Sequence, residues 1–169
     1  VKGNPTSGFI SNKTLLPKIT KETLAELNEK GGERNVSTGY HAVEFLLWGQ
    51  DFSVKGPGER SVKDFGNETE IQLRRGQVLT ALCELLVDHS NILVNAWKPG
   101  STYLTAWDKE PSTEILRRIL VGITSLSADE MAGERMSVAF EKNDPEHEQD
   151  CFSDFSVEDL KANQQGILN

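Results

Sequence analysis

A long apolar stripe in the middle of the chain constrains the fold more than any other sequence feature. Apolar side chains recur there at spacings of three and four residues: Val78, Leu82, Leu85, Leu86, Leu93 and Trp97. This spacing places them on one face of an α-helix that runs from about Glu70 to Trp97. No segment alternates with a period of two for long enough to form a strand. The sequence therefore predicts an all-α chain, an antiparallel helical bundle.

Shorter helices are predicted from capping residues and from glycines that end them. The predicted helix starts are Thr20, Ser37, Ser127 (with Glu130 as a capping box) and Ser156. Residues 1–18 have no helical period, and we expect them to form an extended arm. Residues 51–68 contain Gly56-Pro57-Gly58 and are predicted to form a loop.

Charge and hydropathy exclude some classes of partner. The net charge of the chain is −8, which argues against a protein that binds nucleic acid. Residues 129–160 hold 11 acidic and two basic side chains, so this segment carries the whole net charge. It is either a solvated surface or one that attracts cations. No apolar run reaches the roughly 20 residues of a membrane span, so we expect no transmembrane segment and find no signal peptide.

The common catalytic and cysteine motifs are missing from the sequence. It contains no His-Glu-x-x-His, no Gly-x-Ser-x-Gly and no phosphate-binding glycine loop with lysine. Cys83 and Cys151 are far apart and form no Cys-x-x-Cys pair, which excludes a thiolate zinc site. A disulfide between them stays open.

His41 and Glu44 are the candidate metal ligands. Their spacing of three residues places imidazole and carboxylate on one helix face, where they can share a metal or form an ordinary surface pair. The chain holds only one such pair, so we do not expect a di-iron site within it. Gly39 lies two residues earlier and suggests a close approach to the backbone. His89 falls on the apolar stripe, where a hydrogen-bonded core residue is expected.

The segment NEKGGERNVSTGYHAVEFLLWGQD resembles the imelysin family, whose hallmark is Gly-x-His-x-x-Glu. Gly39, His41 and Glu44 occupy the three defined positions of that motif. The resemblance continues through GPGERSVKDF, RRGQ, SADEMAGERMSVAF and EHEQDCFSDFSVEDLKANQQGILN. It implies a fold of two helical bundles from a longer chain. Residues 1–169 would be a single helical region covering much of the first bundle and the start of the second half, an internal fragment whose partners include the remaining segments of the same protein.

The resemblance also implies a function. Imelysin-like proteins are bacterial, periplasmic or associated with the outer membrane, and implicated in iron uptake. His41 and Glu44 would bind iron or another divalent metal, or an iron-bearing ligand, in a pocket between the bundles. Further family motifs would place Gly39, Glu134, Arg135, Ser153 and Asp154 in that pocket, with Glu134 or Asp154 completing the metal ligands. The family usually has Asn-Thr-His where this chain has Phe155-Ser156-Val157, so one histidine that could join the site is absent.

Two alternatives to iron binding stay open. The family carries a peptidase label, and in a metallopeptidase Glu44 would act as general base on a metal-bound water. The sequence has no recognisable catalytic constellation, so we expect a protein that is not an enzyme. The second alternative is a module that binds an organic ligand without metal.

Overall fold

The computed structural model describes residues 8–32, 35–53 and 55–169. Its α-helices are α1 (Lys21–Leu27), α2 (Tyr40–Trp48), α3 (Glu70–Ala96), α4 (Thr102–Trp107), α5 (Ser112–Thr124), α6 (Val138–Lys142) and α7 (Ser156–Leu168). Short 3₁₀ helices cover Val62–Phe65 and Pro145–His147, and a π-helical segment covers Ser125–Ser137. The described residues include no strand. The all-α prediction is confirmed, and the bundle arrangement stays a prediction.

The chain divides into two compact units, and the boundary between them along the sequence falls within the long helix α3. Among the described residues, the first unit comprises those up to Ser53 together with Pro57–Ser90, and the second comprises residues 55–56 and Asn91–Asn169. The predicted helix from Glu70 to Trp97 is confirmed to within one residue.

The core of the first unit is built from the segment before α1, from α1 and α2, and from the first half of α3. Its buried side chains are Leu16, Leu24, Leu46, Val78, Ala81 and Leu82. The apolar stripe of α3 is thus buried only as far as Leu85, since Leu93 is exposed. His89 is exposed as well, so its predicted place in the core is wrong: burial of the stripe ends one turn before it.

The prediction of an extended arm is wrong for residues 8–18, which form turns. Leu16 is fully buried, and buried Arg74 of α3 holds the segment in place. The Arg74 guanidinium donates hydrogen bonds to the carbonyl oxygens of Ile10 at 2.5 Å and Leu16 at 2.6 Å. A charged donor that satisfies two backbone acceptors explains why the segment folds onto α3. Residues 1–7 lie outside the described residues.

Helix α1 begins as predicted, and α2 does not. Thr20 caps α1 through a capping box with Thr23. By contrast, α2 begins at Tyr40 because Gly39 has a φ of 96°, so Ser37 is not its cap. Buried Ser37 instead ties down the end of α1: its hydroxyl donates to the Leu24 carbonyl at 3.3 Å, and its backbone N–H donates to Asn28 Oδ1 at 3.0 Å.

The second unit contains one continuous helical stretch, from Ser112 to Lys142, in which a π-helical segment separates α5 from α6. The predicted helix start at Ser127 is wrong, because the preceding Thr124 and Ser125 already have right-handed helical backbones. Helix α7 lies beside this stretch and leaves an apolar groove of about 610 Å³, lined partly by Ile119, Ile123 and Ile167. Trp97, Tyr103 and Trp107 form an aromatic cluster with ring centroids 5.1–6.5 Å apart.

By length and composition alone, α3 could cross a membrane. Core helices of folded proteins have the same properties, and Val78, Ala81 and Leu82 of α3 lie in the core of the first unit. The predicted absence of a transmembrane segment therefore stays a prediction.

Candidate functional site

Helix α2 carries the candidate metal ligands near its N-terminus. Gly39 precedes the helix with a φ of 96° and a ψ of −178°, and no side chain caps the helix start. The φ lies in a region that glycine adopts readily and other residues rarely do. Gly39 thus lets the chain turn sharply into α2, whose second residue is His41. Glu44 follows one turn later on the same face.

His41 and Glu44 form a direct side-chain pair. Nδ1 of His41 lies 3.0 Å from Oε2 of Glu44. The two side chains differ in burial: 48% of the His41 side chain is exposed, against 10% for Glu44. An imidazole that donates its Nδ1–H to a carboxylate presents Nε2 as its metal-binding nitrogen. The pair can therefore hold a metal through His41 with Glu44 orienting the ring, or through both side chains after a rotamer change.

Arg60 closes the other end of α2. Its Nη2 donates to the carbonyl of Phe45 at 3.4 Å, and its guanidinium carbon lies 5.7 Å from the centre of the Phe45 ring. The backbone N–H of Arg60 donates to the carbonyl of Trp48 at 2.9 Å. A cation beside the last carbonyls of a helix is favourably placed with respect to the helix dipole.

The guanidinium of Arg60 is largely removed from water. Only 11% of the side chain is exposed, and Nε is buried without a hydrogen-bond partner. Burial lowers the pKa of Arg60, the neighbouring positive charge of Arg75 lowers it further, and Asp64 opposes both. Arg60 remains charged near neutral pH, because the reference value of arginine lies so far above it.

A glycine allows the segment around Arg60 to approach α2. A Cβ atom on Gly58 would lie 2.6 Å from the carbonyl oxygen of Trp48. Real Cβ atoms do not come that close to a backbone oxygen, so position 58 has no room for a side chain. The GPGER sequence therefore packs its backbone directly against the end of the helix that carries His41 and Glu44.

Glu134 and Arg135 lie on the π-helical segment of the second unit. Glu134 is exposed, while Arg135 donates to Asn163 Oδ1 of α7 at 3.3 Å and lies 3.7 Å from Glu130. The amide of Asn163 in turn donates to the backbone carbonyl of Asp159 at 2.9 Å. Arg135 thus connects the π-helical segment to α7, a role in holding the unit together.

Ser153 and Asp154 lie in the loop that leads into α7. Asp154 is exposed and has a φ of 54°, and its N–H donates to the carbonyl of Asp150 at 3.0 Å. Ser153 is half-buried. The loop is further fixed by Ser156, whose hydroxyl donates to Glu148 and accepts from the N–H of Asp150.

Neither Cys83 nor Cys151 is in a disulfide.

Of the predicted site residues, the structure brings His41 and Glu44 into direct contact on the helix that Gly39 precedes. Glu134, Arg135, Ser153 and Asp154 belong to the second unit. Sequence reasoning missed Arg60, which had appeared only inside a quoted motif. Two glycines flanking a proline just before an arginine are a signal of close backbone packing that could have indicated it.

The family model described as imelysin, peptidase M75, matches residues 8–169. No curated protein matches the sequence.

Proposed function

Since this chain belongs to the imelysin family, we propose that it is an exported bacterial protein that binds iron, or an iron-bearing ligand, during iron uptake. One observation carries the proposal: the family motif places the His41 imidazole 3.0 Å from the Glu44 carboxylate on a single helix turn. Nitrogen and oxygen donors of this kind suit iron, zinc and manganese alike.

His41 and Glu44 supply two ligands from one turn of α2. Water, a ligand already bound to iron or a further side chain takes the other coordination positions. Glu44, with only 10% of its side chain exposed, adds a negative charge in a partly desolvated place. That charge attracts a cation more strongly there than it would in water.

Metal titration of the protein and of single-residue variants tests this function. We expect Fe(II), measured without oxygen, and Zn(II) to bind the wild type stoichiometrically. His41→Ala should weaken binding at least about tenfold, because removing a ligand costs no less than removing the partner that orients one. His89→Ala is the matched control, since His89 is exposed and lies on α3. Equal affinity of the wild type and of a His41→Ala, Glu44→Ala double variant would disprove the proposal.

The exported location is part of the same proposal and has its own measurement. The full-length protein, expressed in its natural host, should be released with periplasmic contents or recovered with outer membranes. Recovery with the cytoplasmic fraction alone would contradict export, while leaving metal binding to be judged by titration.

A second candidate function is metal-dependent proteolysis, which the family's peptidase description favours. A carboxylate beside a metal-binding imidazole can act as general base on a metal-bound water. This function requires cleavage of a protein substrate that a chelator stops and that Glu44→Gln abolishes. Metal binding without such cleavage leaves iron binding as the function.

A further inference from the structure

The N-terminal end of α2 is weakly fixed by its own sequence. The helix begins after Gly39 without a side-chain cap, and such a cap is ordinarily worth about 1 kcal/mol. His41 and Glu44 both lie in this half of the helix. Contacts that hold α2 elsewhere along its length therefore also help to fix their position.

Arg60 makes three such contacts with α2 outside the core. Its guanidinium packs over the ring of Phe45 and donates to the carbonyl of the same residue, which directly follows Glu44. Its backbone N–H binds the carbonyl of Trp48, the last residue of α2. Arg60 thus contacts the ring and the backbone carbonyl of Phe45 and the backbone carbonyl of Trp48, all on the same short helix.

Arg60 is in turn connected to the long helix α3. Asp64 Oδ2 lies 3.7 Å from Nη1 of Arg60. The backbone carbonyl of Asp64 accepts a hydrogen bond of 2.7 Å from Nη1 of Arg75. Arg75 is next to Arg74 on α3. The following turns of α3 carry the core residues Val78, Ala81 and Leu82. The contacts therefore run from the core helix through Asp64 and Arg60 to α2.

We propose that Arg60 is a positioning residue for the His41–Glu44 site. It holds α2 against α3, so that the His41 and Glu44 side chains keep their relative position. The inference rests on the proposed metal-binding function. Arg60 acts through α2 and not as a ligand, because a guanidinium has no acceptor to offer a metal. Arginine is required for the planar contact with the Phe45 ring, which a lysine ammonium does not reproduce.

The test compares Arg60→Met and Arg60→Lys with Arg118→Met as the matched control. Arg118 also lies over an aromatic ring, that of Trp107 at 5.8 Å, but belongs to the second unit. Co(II) serves as the probe, because its visible spectrum reports ligand geometry as well as affinity. We expect Arg60→Met to weaken Co(II) binding about tenfold and to change the spectrum. Arg60→Lys should restore part of the affinity, and Arg118→Met should match the wild type.

Hydrogen exchange of the metal-free proteins separates this inference from the proposed function. Arg60→Met should speed exchange of the α2 amides and leave those of α7 unchanged, whether or not the wild type binds metal. Wild type that binds no Co(II), with faster α2 exchange in the variant, disproves metal binding and keeps the anchoring role. Wild-type affinity, spectrum and α2 exchange in both Arg60 variants would overturn the inference. Should Arg60→Met not fold, Arg60→Lys alone decides it by the same measurements.

Discussion

Nδ1 of His41 and Oε2 of Glu44 lie 3.0 Å apart, yet the carboxylate is almost buried and the imidazole is half exposed. A carboxylate removed from water is costly unless a positive or hydrogen-bonding partner compensates for its charge. His41 supplies a hydrogen bond from the solvent side. A metal bound at His41 would place positive charge close to the same carboxylate.

Glu44→Gln separates the charge of the carboxylate from its hydrogen bond. The amide oxygen of glutamine still accepts from Nδ1–H of His41, so the ring orientation is kept, while the negative charge is lost. We expect Fe(II) and Zn(II) affinity to fall about tenfold or more, measured by calorimetric titration. An unchanged affinity would mean that the charge of Glu44 neither binds nor attracts the metal.

Two leucines of α3 test where the core of the first unit ends. Leu82 is 1% exposed and Leu93 is 65% exposed. Leu82→Ala should lower the free energy of unfolding by about 2–5 kcal/mol, because it leaves a cavity in a packed core. Leu93→Ala should change it by no more than about 0.5 kcal/mol. Urea unfolding followed by circular dichroism measures both, and similar losses for the two variants would contradict the described core.

Helix positions were predictable from the sequence where periodicity was long. The apolar stripe from Val78 to Trp97 predicted the bounds of α3, and Thr20 predicted the start of α1. Local rules failed where a more distant contact decided the outcome. Serine is a residue type that often caps helices, but the hydroxyl of Ser37 donates to the carbonyl of Leu24. Spacing along the chain cannot reveal such a contact.

The sequence predicted the pairing of His41 with Glu44 but not the contacts that hold their helix in place. Spacing alone put His41 and Glu44 on one face. The support of α2 by Arg60 depends on a loop that folds back by 15 residues to reach Phe45. Close backbone packing at Gly58 lets the loop fold back in this way, and no periodic pattern in the sequence indicates it.

The hydrogen bonds of Glu114 should make the stability of the folded protein depend on pH. Arg117 binds its carboxylate through two hydrogen bonds of 2.7 and 2.8 Å, and Arg118 adds a third of 2.8 Å. These bonds, with that of Arg117 the larger cause, lower the pKa of Glu114 from 4.5 to about 2. A lowered folded-state pKa stabilises the protein above the unfolded value and loses that effect as pH falls from about 4.5 toward 2.

Glu114→Gln should therefore lower the melting temperature slightly at pH 7. The difference from the wild type should shrink as the pH approaches 2. It should also shrink in 1 M salt, because the Glu114 side chain is 29% exposed and its arginine partners are more exposed still, so salt screens the ion pairs. Thermal unfolding of both proteins at pH 7 and pH 2 measures this. A difference that stayed constant with pH would show that the carboxylate charge is not the cause.

Gly58→Ala tests the close approach between the GPGER segment and α2. The added Cβ would lie 2.6 Å from the Trp48 carbonyl oxygen, whereas a Cβ on Gly56 would have no atom within 4 Å. We expect Gly58→Ala to lower the free energy of unfolding by about 1–3 kcal/mol, and Gly56→Ala to change it by at most about 0.5 kcal/mol. Both values come from urea unfolding, and equal losses would contradict the approach.

The same substitution tests whether Gly58 and Arg60 serve one contact. Gly58→Ala pushes the segment away from Trp48, and that movement also withdraws the Arg60 guanidinium from Phe45. Combining Gly58→Ala with Arg60→Met should therefore cost less than the two separate losses added together, since each variant already breaks what the other removes. Additive losses in the double-mutant cycle would mean that Arg60 holds α2 independently of the glycine. The C-terminal end of α2 would then be held by two separate contacts.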